Sequence, residues 1–255
     1  MHIKITFLGT GTSQGIPVIG SKHPVCLSAD KRDKRLRVSI LVEWEHFTYV
    51  VDCGPDFRYQ MLRANVSKIN GVLFTHIHSD HTAGLDDLRP FSAQLGAVPI
   101  YAKMDVLVNL AGRFDYIFNE ENKYIGAPSV QQNEIKNEPF FIQNLKVIPI
   151  EVSHGDINIF GFRFHNIAYL TDVKAISAEE KLKLQNLDIL IINTLRQETH
   201  PTHLNLAEAI ALSQELKAKK TYFTHISVRL GFHSEVEKTL PKNMFLAYDG
   251  LVLQT

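Results

Sequence analysis

Between Phe74 and Leu85 the chain reads Phe-Thr-His-Ile-His-Ser-Asp-His-Thr-Ala-Gly-Leu, so His76, His78, Asp80 and His81 fall within six residues. They come directly after an apolar run, Gly71–Thr75, that has the length of a buried strand. In an extended segment His76 and His78 point to the same side, which suits two donors on one ion. Asp80 and His81 follow at a turn into a helix, where the backbone redirects them towards a second ion. Neutral imidazole and carboxylate are the donors expected for zinc or a similar first-row divalent metal. A solvated, histidine-rich turn is the plainer alternative. This spacing behind a buried strand counts against it.

Four side chains cannot close a two-ion site. Three later residues sit where strand patterns end: His154 after Leu145–Val152, Asp172 after Ile167–Thr171, and His225 after Thr221–Thr224. Each alone caps a turn as readily as it binds metal. Together they supply the missing donors, with His76, His78 and His154 on one ion, Asp80, His81 and His225 on the other, and Asp172 bridging. Asp52, at the end of the strand pattern Phe47–Cys53, either accepts a hydrogen bond that fixes the histidine loop or caps the following helix.

The rest of the pattern alternates strands with helices. Strands read at His2–Leu8, at a hairpin Val38–Trp44 and Phe47–Cys53, and at Ile157–His165. Leu187–Asn193 is apolar throughout, as a strand buried on both faces would be. Helix spacing appears at Asp56–Ala64, Ala102–Phe114, Ala178–Leu184, Asn205–Ala218 and near Ser234–Leu240, and Leu246–Leu253 closes the chain as one strand around Asp249-Gly250. The polar, mildly acidic stretch Asn119–Glu138, which includes Glu120, reads as a surface excursion, with a substrate lid as the sharper alternative. With 255 residues and no linker or low-complexity tract, the chain is expected to form a single domain, 1–255, of the α/β class.

Lys+Arg and Asp+Glu both number 27, a balance that argues against coating nucleic acid or an anionic membrane. The N-terminus enters a strand pattern at once, with no secretory n- and h-regions and no run long enough for a membrane helix. Two cysteines, Cys26 and Cys53, exclude a disulfide framework and fit a reducing cytoplasm.

The His76-x-His78-x-Asp80-His81 run, with His154, Asp172 and His225, resembles the metallo-beta-lactamase-fold hydrolases across essentially the whole chain. Thr10-Gly11-Thr12-Ser13-Gln14-Gly15-Ile16-Pro17, Asp52-Cys53-Gly54-Pro55-Asp56-Phe57 and a late His203 narrow the resemblance to PhnP-type phosphodiesterases, which open phosphoribosyl 1,2-cyclic phosphate. The resemblance implies a four-layer αβ/βα sandwich and a dinuclear metal-dependent hydrolase. Its metal-bridging hydroxide attacks a small phosphodiester, cyclic ones included, with zinc the default metal and manganese or iron compatible. It makes His203 the group that protonates the leaving oxygen, and Asp80 part of the catalytic centre. His200 and His233 are weaker candidates for touching substrate. PhnP-type relatives often carry a further structural zinc on three cysteines and a histidine. The matching positions here are Ser21, His23, Cys26 and Val228, so that zinc is expected to be absent. A homodimer is left open, and no membrane or nucleic-acid partner is expected. The competing functions are a tRNA 3′-processing ribonuclease, an ester, lactone or thioester hydrolase, and a non-enzymatic binding module.

Overall fold

Ile189–Asn193 is buried at every residue and lies between two parallel neighbours, as an unbroken apolar run requires. It belongs to one of two units into which the computed structural model, describing residues 2–119 and 121–255, divides the chain. The first unit comprises Met1–Gly9, Arg37–Lys136 and Gly250–Thr255; the second comprises Thr10–Leu36 and Asn137–Asp249. In chain order the strands are β1 (Lys4–Gly9), β2 (Ser39–Trp44), β3 (Phe47–Val51), β4 (Gly71–Leu73), β5 (Val98–Ala102), β6 (Val130–Glu134) and β7 (Phe140–Ile142). They continue as β8 (Leu145–His154), β9 (Ile157–Phe164), β10 (Ile167–Leu170), β11 (Ile189–Asn193), β12 (Lys220–Thr224), β13 (Met244–Leu246) and β14 (Val252–Gln254).

The first unit carries a seven-stranded sheet in the order β14-β1-β2-β3-β4-β5-β6. Pairing is antiparallel from β14 to β3 and parallel from β3 to β6. Its core packs Phe57 and Met61 of helix Phe57–Arg63 and Val106, Leu107 and Leu110 of helix Met104–Arg113 against Val50, Val72 and Ile100. The second unit carries a seven-stranded sheet in the order β13-β12-β11-β10-β9-β8-β7. Here pairing is antiparallel from β7 to β10 and parallel from β10 to β13. Leu206 and Ala209 of helix Leu206–Leu216 cover Leu190, Ile192 and Phe223. That helix starts on a capping box, with Asn205 accepting from the Glu208 amide and Glu208 from the Asn205 amide.

Mixed sheets with helices fit the expected α/β class. Two sequence expectations need correction. The closing segment Leu246–Leu253 is two strands in two different sheets: β13 runs parallel to β12, and β14 antiparallel to β1. Gly250, at φ 89°, makes the break that a single strand would not tolerate. The stretch Asn119–Glu138 is not irregular throughout, because β6 pairs with β5. Its Gln131, Gln132, Asn133 and Glu134 form an edge strand with no apolar alternation, which hid it. Glu120 lies outside the described residues. No helix among the described residues is long and apolar enough to cross a membrane.

Candidate metal centre

In the first unit the histidine loop leaves β4 and is moulded by the segment after β3. Asp52, directly after β3, is fully buried and adopts a left-handed φ of 66°, which aspartate tolerates better than most residues. Its carboxylate accepts from the Thr75 amide at 2.8 Å, from Thr75 Oγ1 at 2.9 Å and from His81 Nδ1 at 2.7 Å. Burial raises the Asp52 carboxyl pKa, while the His81 and Thr75 contacts oppose that rise. A proton fixed on His81 Nδ1 leaves its Nε2 lone pair for a metal. The Cys53 amide donates to His81 O and the Gly84 amide to Cys53 O, both at 2.8 Å. At Gly54 any Cβ would stand 2.0 Å from Asp80 O, so only glycine lets the two segments pack.

The donor atoms of this loop stand in pairs. His76 Nε2 is 3.0 Å from His78 Nδ1, and His81 Nε2 is 3.4 Å from Asp80 Oδ2. Two donors bound tetrahedrally to one zinc at about 2.0–2.1 Å would be about 3.3 Å apart. The donor spacing fits a divalent ion. Sequence reading missed two residues that hold the loop. Thr75 bridges Asp52 and His76 Nδ1, the latter at 2.9 Å, and Arg113 donates to Ile77 O at 3.1 Å and to Thr82 Oγ1 at 2.7 Å. Thr75 sits inside the recognised run, yet its partner is more than twenty residues away, and nothing local announces Arg113.

In the second unit four side chains converge, His154, Asp172 and His225 from separate strand ends and His203 from the loop before helix Leu206–Leu216. Asp172, after β10, has a left-handed φ of 59°, and His225, after β12, one of 55°. Asp172 Oδ1 lies 3.0 Å from His203 Nε2, 3.2 Å from His225 Nε2 and 3.9 Å from His154 Nε2. Thr171 Oγ1 donates to the other carboxylate oxygen. His154 Nδ1 donates to Thr202 O at 2.9 Å, leaving Nε2 towards Asp172, so a backbone carbonyl does here what Asp52 does for His81. His154, Asp172 and His203 each offer a ligand atom within 4.8 Å of the others. The His203 ring stacks on His225 with centroids 5.0 Å apart, and its Nδ1 faces Thr202 Oγ1 at 2.8 Å and His200 Nδ1 at 3.2 Å. Burial pushes the His203 pKa down to about 4 against the pull of Asp172. His200 is also lowered, chiefly by burial.

Known proteins give this geometry a context. A family model described as "Beta-lactamase superfamily domain" matches residues 48–226. The solved structure of a "new diphosphatase from the PhnP family" is 40% identical, superposes with a TM-score of 0.92, and covers 98% of this chain and 97% of its own. The chain belongs to the PhnP family of the beta-lactamase superfamily. An octanoyltransferase of Porphyromonas gingivalis (strain ATCC BAA-308 / W83) is 36% identical over 252 residues, 98% of this chain and 51% of that protein. The chain therefore spans about half the length of that relative. A ribonuclease Z of Borrelia recurrentis (strain A1) is 23% identical over an alignment of 333 positions, covering 100% of this chain and 97% of that protein. Membership implies divalent-metal binding, and the two donor sets fit it.

Other residues of this PhnP-family chain have duties elsewhere. His23 Nδ1 caps helix Pro24–Leu27 by accepting from the Val25 amide at 3.3 Å, and Cys26 Sγ accepts from the Val18 amide at 3.4 Å. Ile16, Val25 and Cys26 pack with Val18, Val228 and Phe232, so apolar contact holds this loop. His233 is buried against Arg35, whose Nη2 donates to its Nδ1 at 3.1 Å. Burial, with Arg35 beside it, lowers the His233 pKa to about 4. Arg89 pairs with Asp86 at 2.6 Å and reaches Gly126 O and Tyr124 Oη, tying down the loop before β6.

Proposed function

We propose that the two donor sets act together, as one catalytic domain, to hold two divalent ions, and that the protein hydrolyses a small phosphodiester, cyclic ones included. His76, His78 and His154 are assigned to one ion, Asp80, His81 and His225 to the other, and Asp172 to both. The observation that carries this reading is the matched preparation of the two sets. Asp52 and Thr202 O each accept a hydrogen bond from the Nδ1–H of a histidine and so leave its Nε2 for metal. When bound, two such ions lower the pKa of a water and offset charge on the phosphorus oxygens. Zinc is the default for this nitrogen–oxygen shell, and manganese and iron also suit it. The phosphate substrate is supported by the PhnP-family diphosphatase.

His203 is assigned the proton for the leaving oxygen. Held on Asp172 and Thr202, it stays neutral in the free protein because burial disfavours its charge. A bound phosphodiester brings negative charge beside the ring and raises its pKa, so the proton is gained with the substrate. The buried cysteines Cys26 and Cys53 suit a reducing cytoplasm.

Hydrolysis of an acyl ester or thioester is the second reading, favoured by the octanoyltransferase relative. A tRNA-processing activity draws on the ribonuclease Z relatives, but the polar segment Asn119–Glu138 lacks the basic character of a tRNA grip. One screen separates the three. Purified protein is offered bis-p-nitrophenyl phosphate, cyclic phosphates, lactones and short acyl thioesters, with and without manganese, and its tRNA retention is measured against salt. Metal-dependent turnover of phosphodiesters supports the reading. Turnover of acyl substrates alone, or tight salt-sensitive tRNA retention with cleavage, overturns it.

A further inference from the structure

The motif Thr10-Gly11-Thr12 bears no metal donor, yet it lies against the backbone of a proposed ligand. His225 occupies a left-handed conformation, φ 55°, and such a residue persists only where its surroundings over-determine it. Both flanks are pinned. The Thr194 amide donates to Thr224 O at 2.8 Å, and the Ser227 amide to Leu195 O at 3.0 Å. Ile226, the next residue after His225, is held twice by the motif: its amide donates to Thr10 O at 2.9 Å, and its carbonyl accepts from the Thr12 amide at 3.2 Å. This is a short parallel bridge between Gly11 and Ile226.

The motif is itself anchored by a chain of polar groups, buried at Thr10 and Arg35 and half-buried at Asp249. Arg35, 3% exposed, donates from Nη1 to Thr10 Oγ1 at 2.7 Å and to Ala247 O at 2.6 Å. Thr10 Oγ1 passes the bond on, donating to Asp249 Oδ1 at 2.7 Å. Asp249 Oδ2 accepts from the Leu36 amide at 2.8 Å, and Leu36 O accepts from the Gly11 amide at 2.8 Å. The Ala247 amide in turn donates to Phe223 O at 2.8 Å, two residues before His225. A Cβ at Gly11 would meet Arg35 Cβ, Arg35 O and Leu36 O at 3.0 Å, which is why the motif carries glycine there.

We propose that Thr10, Arg35 and Asp249 are positioning residues for His225. One guanidinium ties together the two backbone segments that flank the end of β12, and the Thr10 hydroxyl and Asp249 carboxylate close the tie. Their work is to keep the His225 turn left-handed so that its imidazole meets the ion it shares with Asp80 and His81. This inference rests on the assignment of His225 as a ligand, and its test keeps the two apart.

Metal-free protein is titrated with cobalt(II), followed by calorimetry and by visible absorption, which reports ligand geometry independently of turnover. His225→Ala is the control and should lose one of two binding events. Thr10→Val and Asp249→Asn should weaken that same event by about 10- to 100-fold and alter its absorption bands, while the other event is unchanged. Thr10→Ser, which keeps the hydroxyl, should restore both affinity and spectrum. If His225→Ala loses an ion while Thr10→Val and Asp249→Asn bind both ions as the parent does, the positioning role is overturned and the ligand assignment stands. If His225→Ala binds two ions unchanged, the ligand assignment fails and takes this inference with it. Should Thr10→Val lose its cooperative thermal melt, Asp249→Asn decides by the same criteria.

Discussion

Counted from the antiparallel edge, the two sheets repeat one plan. In each, three antiparallel pairings are followed by three parallel ones, β14-β1-β2-β3 then β4-β5-β6, and β7-β8-β9-β10 then β11-β12-β13. An aspartate follows the fourth strand in both, Asp52 after β3 and Asp172 after β10, and both take a left-handed φ. Their duties differ because the next strand ends differently. After β4, Thr75 turns its amide and hydroxyl onto Asp52, which is thereby sealed as the carboxylate that orients His81. At the end of β11, the side chain of its last residue, Asn193, instead accepts from the Val173 amide at 2.7 Å. That contact fixes the turn beside Asp172 and leaves its Oδ1 facing three histidines, while Thr171 Oγ1 holds the other oxygen. One backbone position thus supports a histidine in one half and, on the proposed reading, gives metal a carboxylate in the other.

The sharpest way to break this contrast is to delete the donor aspartate. Asp172→Ala should lower kcat/KM on bis-p-nitrophenyl phosphate by at least about 10³-fold, with loss of bound metal. His203→Ala should cost about 10²-fold or more in kcat while metal content, read by elemental analysis, is unchanged. Unchanged activity would remove His203 from the mechanism. Asp52→Asn, its support-side counterpart, should act more mildly, weakening metal binding by about 10- to 100-fold in a chelator competition. An effect equal to that of Asp172→Ala would erase the distinction between support and donor.

Protons sharpen the comparison further. Neutral imidazoles are required for ligation, so metal binding and turnover should fall together as pH drops below about 6. His233, away from the donors, titrates differently. Its pKa is lowered to about 4 in the folded chain by burial and by Arg35 and Arg32, with Asp33 and Glu237 nearby. The unfolded chain then binds the proton more readily. Stability from this residue is full above about pH 6.5 and is lost as pH falls towards 4, on the order of 1 to 3 kcal/mol. Urea unfolding at pH 7 and pH 5 should show that slope, and His233→Gln should flatten it.

The two halves also differ in how much of them a sequence can show. The first donor set lies within the run His76–His81 behind a buried strand, so residue type and spacing alone reveal it. The second gathers His154, Asp172 and His225 from separate strand ends and His203 from a loop; their strand-end positions made the first three candidates, each weak alone, and only resemblance to a family added His203. Thr202 was invisible for a plainer reason: it works through its backbone carbonyl, which every residue has. Helix Leu206–Leu216 was legible because the Asn205–Glu208 capping box and an apolar stripe agree. Strand β6 was not, since its exposed polar residues carry no alternation, and β14 was merged with β13 because its partner β1 lies at the opposite end of the sequence.

The most direct test of the central claim is the number of divalent ions held per chain after dialysis, for the parent protein, His78→Ala from the first half and His154→Ala from the second. Two ions in the parent, with one weakened or lost in each variant, is the result expected of donor sets that share a pair of metals. A parent holding fewer than two ions, or a His154→Ala protein that keeps both at undiminished affinity, would contradict it.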